Sequence, residues 1–174
     1  MDRTLKKKLA QVRLFLCDVD GVLTDGTVWM GNGVETKRFN IRDGLGLRLL
    51  QREGIRVGWI SRRPSPATAQ RAADLKVDFL HQGDDNKVSA VEAILKQAGL
   101  NWSQTCYVGD DIVDLGALKR AGLAVVVADG IREAKALADY VTGAGGGHGA
   151  VREVVELILK AQNKWKRVVE EYAV

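Results

Sequence analysis

In RLFLCDVDGVLTDG, residues 13–26, Asp18 and Asp20 stand two residues apart directly after an apolar run, and Asp25 follows close behind. A second acidic set, Asp110, Asp111 and Asp114, sits in VGDDIVD. Taken alone, a D-x-D-G stretch reads equally well as an ordinary solvent-facing turn held by Asx hydrogen bonds. Calcium loops use the same opening spacing but continue with further oxygen ligands, whereas this chain continues with Val22, Leu23 and Thr24, which excludes an EF-hand. Three carboxylates crowded in VGDDIVD repel one another unless a cation or a helix N-terminus offsets them. Brought beside Asp18 and Asp20, they would make an oxygen-rich site suited to Mg²⁺, a hard ion that keeps waters and engages phosphate. Neither histidine has zinc spacing and both cysteines lie in apolar runs, so the pattern does not point to zinc.

Ser61 and Lys87 extend this chemistry. Ser61 follows RVGWI and can offer its hydroxyl, with nearby amides, to a phosphate oxygen. Lys87 opens KVSAVEAIL and can reach the same oxygen as a point charge. Each alone also reads as a helix-capping serine or a solvated lysine. With two carboxylate clusters they make the residue set of phosphoryl transfer, where positioning and charge neutralisation supply most of the rate.

The elements that must position these groups alternate. Five apolar runs, at 13–19, 56–61, 77–81, 105–110 and 123–129, are short enough for strands. Helical patterns separate them: DGLGLRLLQREG with Leu45, Leu49 and Leu50 on one side, SPATAQRAADLK after Pro66, and KVSAVEAILKQAG before its glycine stop. IVDLGALKRAG, IREAKALAD and one long closing helix, AVREVVELILKAQNKWKRVVEEY, complete the set. This order predicts an α/β fold: a doubly wound, mostly parallel sheet with helices on both faces. Ligands of such sheets gather beyond the carboxyl ends of the strands. Asp18, Asp20, Ser61, Asp110 and Asp111 all fall at such ends. TVWMGNGVETKRFNI interrupts the alternation and reads as a protruding β-hairpin around GNG, with strands expected at 27–29 and 36–41.

The 174 residues suit one domain with a real core, and 46% hydrophobic with 28% charged residues is a globular balance. The formal net charge of +4 favours an anionic substrate or simply solubility. Few aromatics and no stacking platform argue against nucleic acid. The start has too short an apolar run for a signal peptide, and no 18-residue uncharged span suggests a membrane helix. Cys17 and Cys106 read as isolated buried thiols, so the expected location is cytoplasmic.

DVDGVLTDG, the Ser61 strand end, Lys87 and VGDDIVD, in that order, resemble the four signature regions of the haloacid dehalogenase-like phosphatases. The resemblance runs from about Leu14 to Lys160. GTVWMGNGVETKRFNIRDGLG, KVDFLHQG and GGGHGAVREV narrow it to the subclass without a cap domain that acts on 3-deoxy-D-manno-octulosonate 8-phosphate, and they are shared in part with phosphatases for 9-phosphates of nine-carbon sugar acids. The resemblance implies a single domain over 1–174, with a hairpin insertion at about 27–39. It implies Asp18 as nucleophile and Mg²⁺ ligand, and Asp20 as general acid/base whose backbone carbonyl also meets the metal. Asp110 is then the third protein ligand, with Asp111 and Asp114 as support, and Ser61 and Lys87 hold the phosphoryl group. It further implies a homotetramer in which the hairpin helps close a neighbouring active site, with Lys37 or Arg38 toward the substrate carboxylate.

Two positions depart from that pattern. ISRRP carries Arg62 where glycine is usual, before the retained Arg63, and GGHGA carries His148 where a sugar-binding arginine is usual. The resemblance therefore speaks more firmly for reaction type than for the sugar. A catalytically silent protein of the same fold is the rival from another class. It should have lost Asp18, Asp20 or Lys87, and all three are present.

Overall fold

The computed structural model describes residues 2–173. A first helix, α1 (Arg3–Gln11), leads into β1 (Leu14–Cys17); a small hairpin, β2 (Trp29–Gly31) and β3 (Val34–Thr36), then precedes α2 (Ile41–Arg52). β4 (Arg56–Ser61), α3 (Pro66–Asp74), β5 (Phe79–Gln82) and α4 (Lys87–Ala98) follow. The second half runs β6 (Thr105–Gly109), α5 (Leu115–Leu118), β7 (Leu123–Val126), α6 (Arg132–Lys135), β8 (Tyr140–Val141), α7 (Ala150–Ala161) and α8 (Trp165–Tyr172).

Six strands pair in parallel in the order β5-β4-β1-β6-β7-β8. Period-two alternation divides the core. Phe15 and Cys17 face a layer built by α2, α7 and α8, while Leu14 and Leu16 face the layer of α4, α5 and α6. The fold is therefore α/β and doubly wound, as the alternation predicted. The chain leaves β1 for β4 and β5 on one side and returns to β6 and β7 on the other. That puts the topological switch point beside β1, where Leu14 to Cys17 pair with Thr105 to Val108. Asp18 and Asp110 emerge next to each other there, as such sheets require of a binding crevice.

The local expectations fail in instructive places. The hairpin strands are 29–31 and 34–36 rather than 27–29 and 36–41, because the turn is the two-residue loop Asn32-Gly33, both at positive φ (50° and 74°). Ile41 already belongs to α2, whose N-cap Asn40 accepts from the Arg42 and Asp43 amides. Leu45 is exposed and Leu47 is buried in its stead. The closing helix is two helices, parted at Gln162–Lys164 where Asn163 turns to φ 58°. α1 and the two-residue β8 have no counterpart in the apolar pattern: α1 buries just one residue, Leu9.

Candidate active site

Asp18 continues β1 by one more backbone bond, its N–H donating to the Val108 carbonyl at 3.0 Å. Its side chain is buried, with Oδ1 accepting from the Val19 amide at 2.6 Å and Oδ2 2.6 Å from Lys87 Nζ. Lys87, the first residue of α4 after the N-cap Asn86, is 2% exposed and also donates to Asp114 Oδ1 at 2.7 Å. Asp114 takes a second bond on the same oxygen from the Tyr107 hydroxyl, at 2.7 Å, and its other oxygen accepts the Asp110 and Asp111 amides. A continuous polar chain thus runs Tyr107–Asp114–Lys87–Asp18 beneath the strand ends. A buried lysine held by two carboxylates stays charged. Burial opposes its charge, but Asp18 and Asp114 together outweigh that and raise its pKa.

Ligand atoms of Asp18, Asp110 and Asp114 lie within 4.8 Å of one another. Three carboxylates against one ammonium leave two negative charges (three minus one), which a divalent cation would balance. Burial first, and then that crowding, shows in the acids themselves. Burial, with Lys87 pulling the other way, raises Asp18 to about 6; burial plus Asp18 and Asp114 push Asp110 up to about 8. Asp110 Oδ1 is buried without a hydrogen-bond partner. An orphaned acceptor beside surplus negative charge fits a hard cation. Gly21, at φ 92°, lies where a Cβ would run into the Asp110 carboxylate, so the loop after Asp20 can close only with glycine.

The side chains of the remaining expected residues lie outside this cluster. Asp111 is exposed and caps the short turn Ile112–Asp114 with its own side chain, apart from the carboxylate cluster. Ser61 ends β4, buried, with its hydroxyl closed onto the Arg63 backbone at 3.1 Å. Asp20 faces the hairpin side, 2.7 Å from Lys37 Nζ and 3.9 Å from Arg63 Nε. Lys37, expected near a substrate carboxylate, has no exposed side-chain surface and is occupied by Asp20 and Thr68. Arg38 is exposed and pairs with Asp25 at 2.7 Å. Arg62 pairs with Asp84 at the rim of a cavity that Lys87 also lines. His148 is exposed in a separate cavity of about 560 Å³ with Arg38, Asn40, Arg42 and Arg152. Tyr107 went unrecognised in the sequence, because a tyrosine inside an apolar strand reads as core. The signal available was its position on β6, three residues before Asp110, which follows the strand's end.

Residues 60–154 match the haloacid dehalogenase-like hydrolases. The chain belongs to that family. Within it, the chain is 43% identical over 158 residues to the 3-deoxy-D-manno-octulosonate 8-phosphate phosphatase KdsC of Escherichia coli strain K12, covering 90% of this chain and 84% of that one. A crystal structure of a phosphatase of the same name from Moraxella catarrhalis, in complex with magnesium ion, phosphate ion and a KDO molecule, superposes with a TM-score of 0.96 at 39% identity over 99% of both chains. The cobalt-bound form of the Haemophilus influenzae enzyme gives 0.88 at 42% identity, over 91% of this chain and 93% of that one.

Proposed function

We propose that this protein is a Mg²⁺-dependent phosphomonoesterase that hydrolyses 3-deoxy-D-manno-octulosonate 8-phosphate to the free sugar acid and phosphate. One observation carries the reading: Asp18 is held against Lys87 at the topological switch point, with Asp110 alongside and two negative charges left over. The 43% identity to KdsC and the likeness to a structure holding magnesium, phosphate and KDO support the substrate class.

The Asp18 carboxylate attacks phosphorus, and the bond from phosphorus to the sugar oxygen breaks. Asp20 gives its proton to that leaving oxygen, and an aspartyl phosphate remains on Asp18. Water then attacks phosphorus, its proton passes to Asp20, and phosphate leaves with the Asp18 carboxylate restored. Asp18, Asp110 and the Asp20 backbone carbonyl would hold Mg²⁺, which supplies charge neutralisation for the meeting of two anions. Lys87 and the Ser61 hydroxyl, released from Arg63, bind the phosphoryl oxygens. Asp114 and Tyr107 hold Lys87 in place, and Asp111 supports the loop.

The sugar end is the less constrained part. Arg38 and Arg42 offer positive charge, and His148 a hydrogen-bonding imidazole, to the substrate carboxylate, with Arg62 and Arg63 at the phosphate side. We read the whole chain as one catalytic unit, with residues 27–39 inserted in it. Trp29 and Met30, 68% and 73% exposed, suit burial against a second copy in a homotetramer. Among the described residues no helix is long and apolar enough to cross a membrane, and the two buried free thiols suit a reducing cytoplasm.

The test is phosphate release, with Mg²⁺ and with chelator, from the eight-carbon 8-phosphate and from a nine-carbon sugar-acid 9-phosphate. Metal-dependent release with a higher kcat/KM for the eight-carbon substrate supports the proposal. A preference for the nine-carbon substrate reassigns the sugar, and no release from either leaves a silent protein of this fold.

A further inference from the structure

A buried lysine with no exposed side-chain surface is costly unless its charge is matched. Lys37 is such a residue. It lies just beyond β3, at the root of the hairpin, and its Nζ sits 2.7 Å from Asp20 Oδ1, 3.2 Å from Thr68 Oγ1 and 3.7 Å from Glu35 Oε1. Thr68 and Glu35 are themselves fixed, whereas the Asp20 carboxylate is held by Lys37 as an ion pair alone, with Arg63 farther off. Thr68 is buried in the first turn of α3, its amide capped by Ser65 Oγ, and the Ser65 hydroxyl donates to Glu35 Oε1 at 2.6 Å. Glu35 is also gripped by Arg63 at 2.6 Å. The hairpin root, the α3 N-terminus and the Asp20 loop are thereby tied into one polar cluster, separate from the Lys87 chain.

We infer that Lys37 is a positioning residue for proton transfer: it fixes one oxygen of Asp20, so that the other is the one presented to the leaving oxygen and then to water. The inference rests on the proposed role of Asp20 as the acid/base. Arg63 does not substitute for Lys37, since it is exposed, 3.9 Å from Asp20 and committed to Glu35. The geometry also gives the hairpin a function within its own subunit. Its root holds the proton donor, whatever its tip contacts.

Two substrates separate this role from simple packing. A sugar phosphate needs a proton on its leaving oxygen; a nitrophenyl phosphate does not, although its phosphoenzyme still needs a base to direct water. In Lys37→Met, release of the first sugar from the 8-phosphate should slow by roughly 10²-fold, the lower end of acid–base contributions. Release of the first nitrophenolate should keep its wild-type rate and be followed by a slow steady state, visible as a burst of one per site. The Mg²⁺ concentration for half-activation should not move. If both first turnovers fall alike, or neither falls, Lys37 does not position the acid. If K37M fails to fold, Thr68→Val, which removes the hydroxyl from Nζ, must show the same asymmetry in smaller degree, and equal losses there overturn the inference. Wild-type protein inactive on both substrates contradicts the phosphatase reading itself, a different outcome from symmetric loss in an active background.

Discussion

At the ends of β1 and β6 the charged side chains are buried and locked to one another, whereas along β2 and β3 the large apolar ones stand exposed. Lys87 is 2% exposed between two carboxylates, while Trp29 is 68% exposed at the hairpin. Central parallel strands, covered by helices on both faces, form a frame stiff enough to hold groups to fractions of an ångström. A two-stranded ribbon is marginal alone and gains its order from what it packs on. The polar chain from Tyr107 to Asp18 is therefore tied together within one chain. The hairpin end is complete at its root, through Lys37 and Glu35, and open at its tip.

The largest effect should come from the rigid region. Asp18→Asn removes the proposed nucleophile, so steady-state phosphate release should fall by several orders of magnitude while the circular dichroism spectrum stays native. Near-normal turnover from D18N would move the chemistry elsewhere. Lys87→Met should cost both activity and fold, because it leaves Asp18 and Asp114 buried and unpaired; removing one partner of a buried ion pair typically costs about 3–5 kcal/mol. Urea unfolding reads that loss directly, and an unchanged midpoint would mean the pair carries no structural weight.

Much of this contrast was legible in the residues, and the missing part has a physical cause. The strands showed as short apolar runs, and the placement of the acids at strand carboxyl ends followed from their order, whereas the switch point needed the spatial order of the strands. Asp18 and Asp110 were visible because buried parallel strands end where polar residues abruptly begin, and Lys87 because it opens a helical pattern. Tyr107 was not, and Lys37 was expected at the substrate carboxylate rather than at Asp20, since such roles depend on which oxygen a side chain meets across the fold. An apolar strand hides the tyrosine, and a polar hairpin hides which partner the lysine takes. α1 was missed because RTLKKKLAQ carries little apolar signal, and the break at Asn163 because a single left-handed residue leaves no mark on helical periodicity.

Smaller effects belong to the open region. Replacing Trp29 and Met30 by serine should leave the Lys87 chain untouched but weaken self-association. Light scattering should then give a lower mass than for the wild type at equal concentration. An unchanged tetramer, or a monomeric wild type, would leave the exposed tip without that purpose. The smallest change is expected for Arg62→Gly. The Arg62–Asp84 pair is exposed at the rim of the cavity that Lys87 lines, and exposed pairs contribute about 0–1 kcal/mol. Its unfolding midpoint should stay close to the wild type, in contrast to K87M in the same cavity.

The central claim is that Asp18 carries the phosphoryl group between the two half-reactions. Asp20→Asn provides the means to see it, because breakdown of the phosphoenzyme needs a base while its formation from a nitrophenyl phosphate needs no acid. The mutant is mixed with that substrate and Mg²⁺, quenched in acid and analysed by peptide mass spectrometry. One added phosphoryl group on Asp18, at close to one per site, is the expected result. Phosphate release with no adduct at Asp18, or an adduct on another residue, would contradict the account.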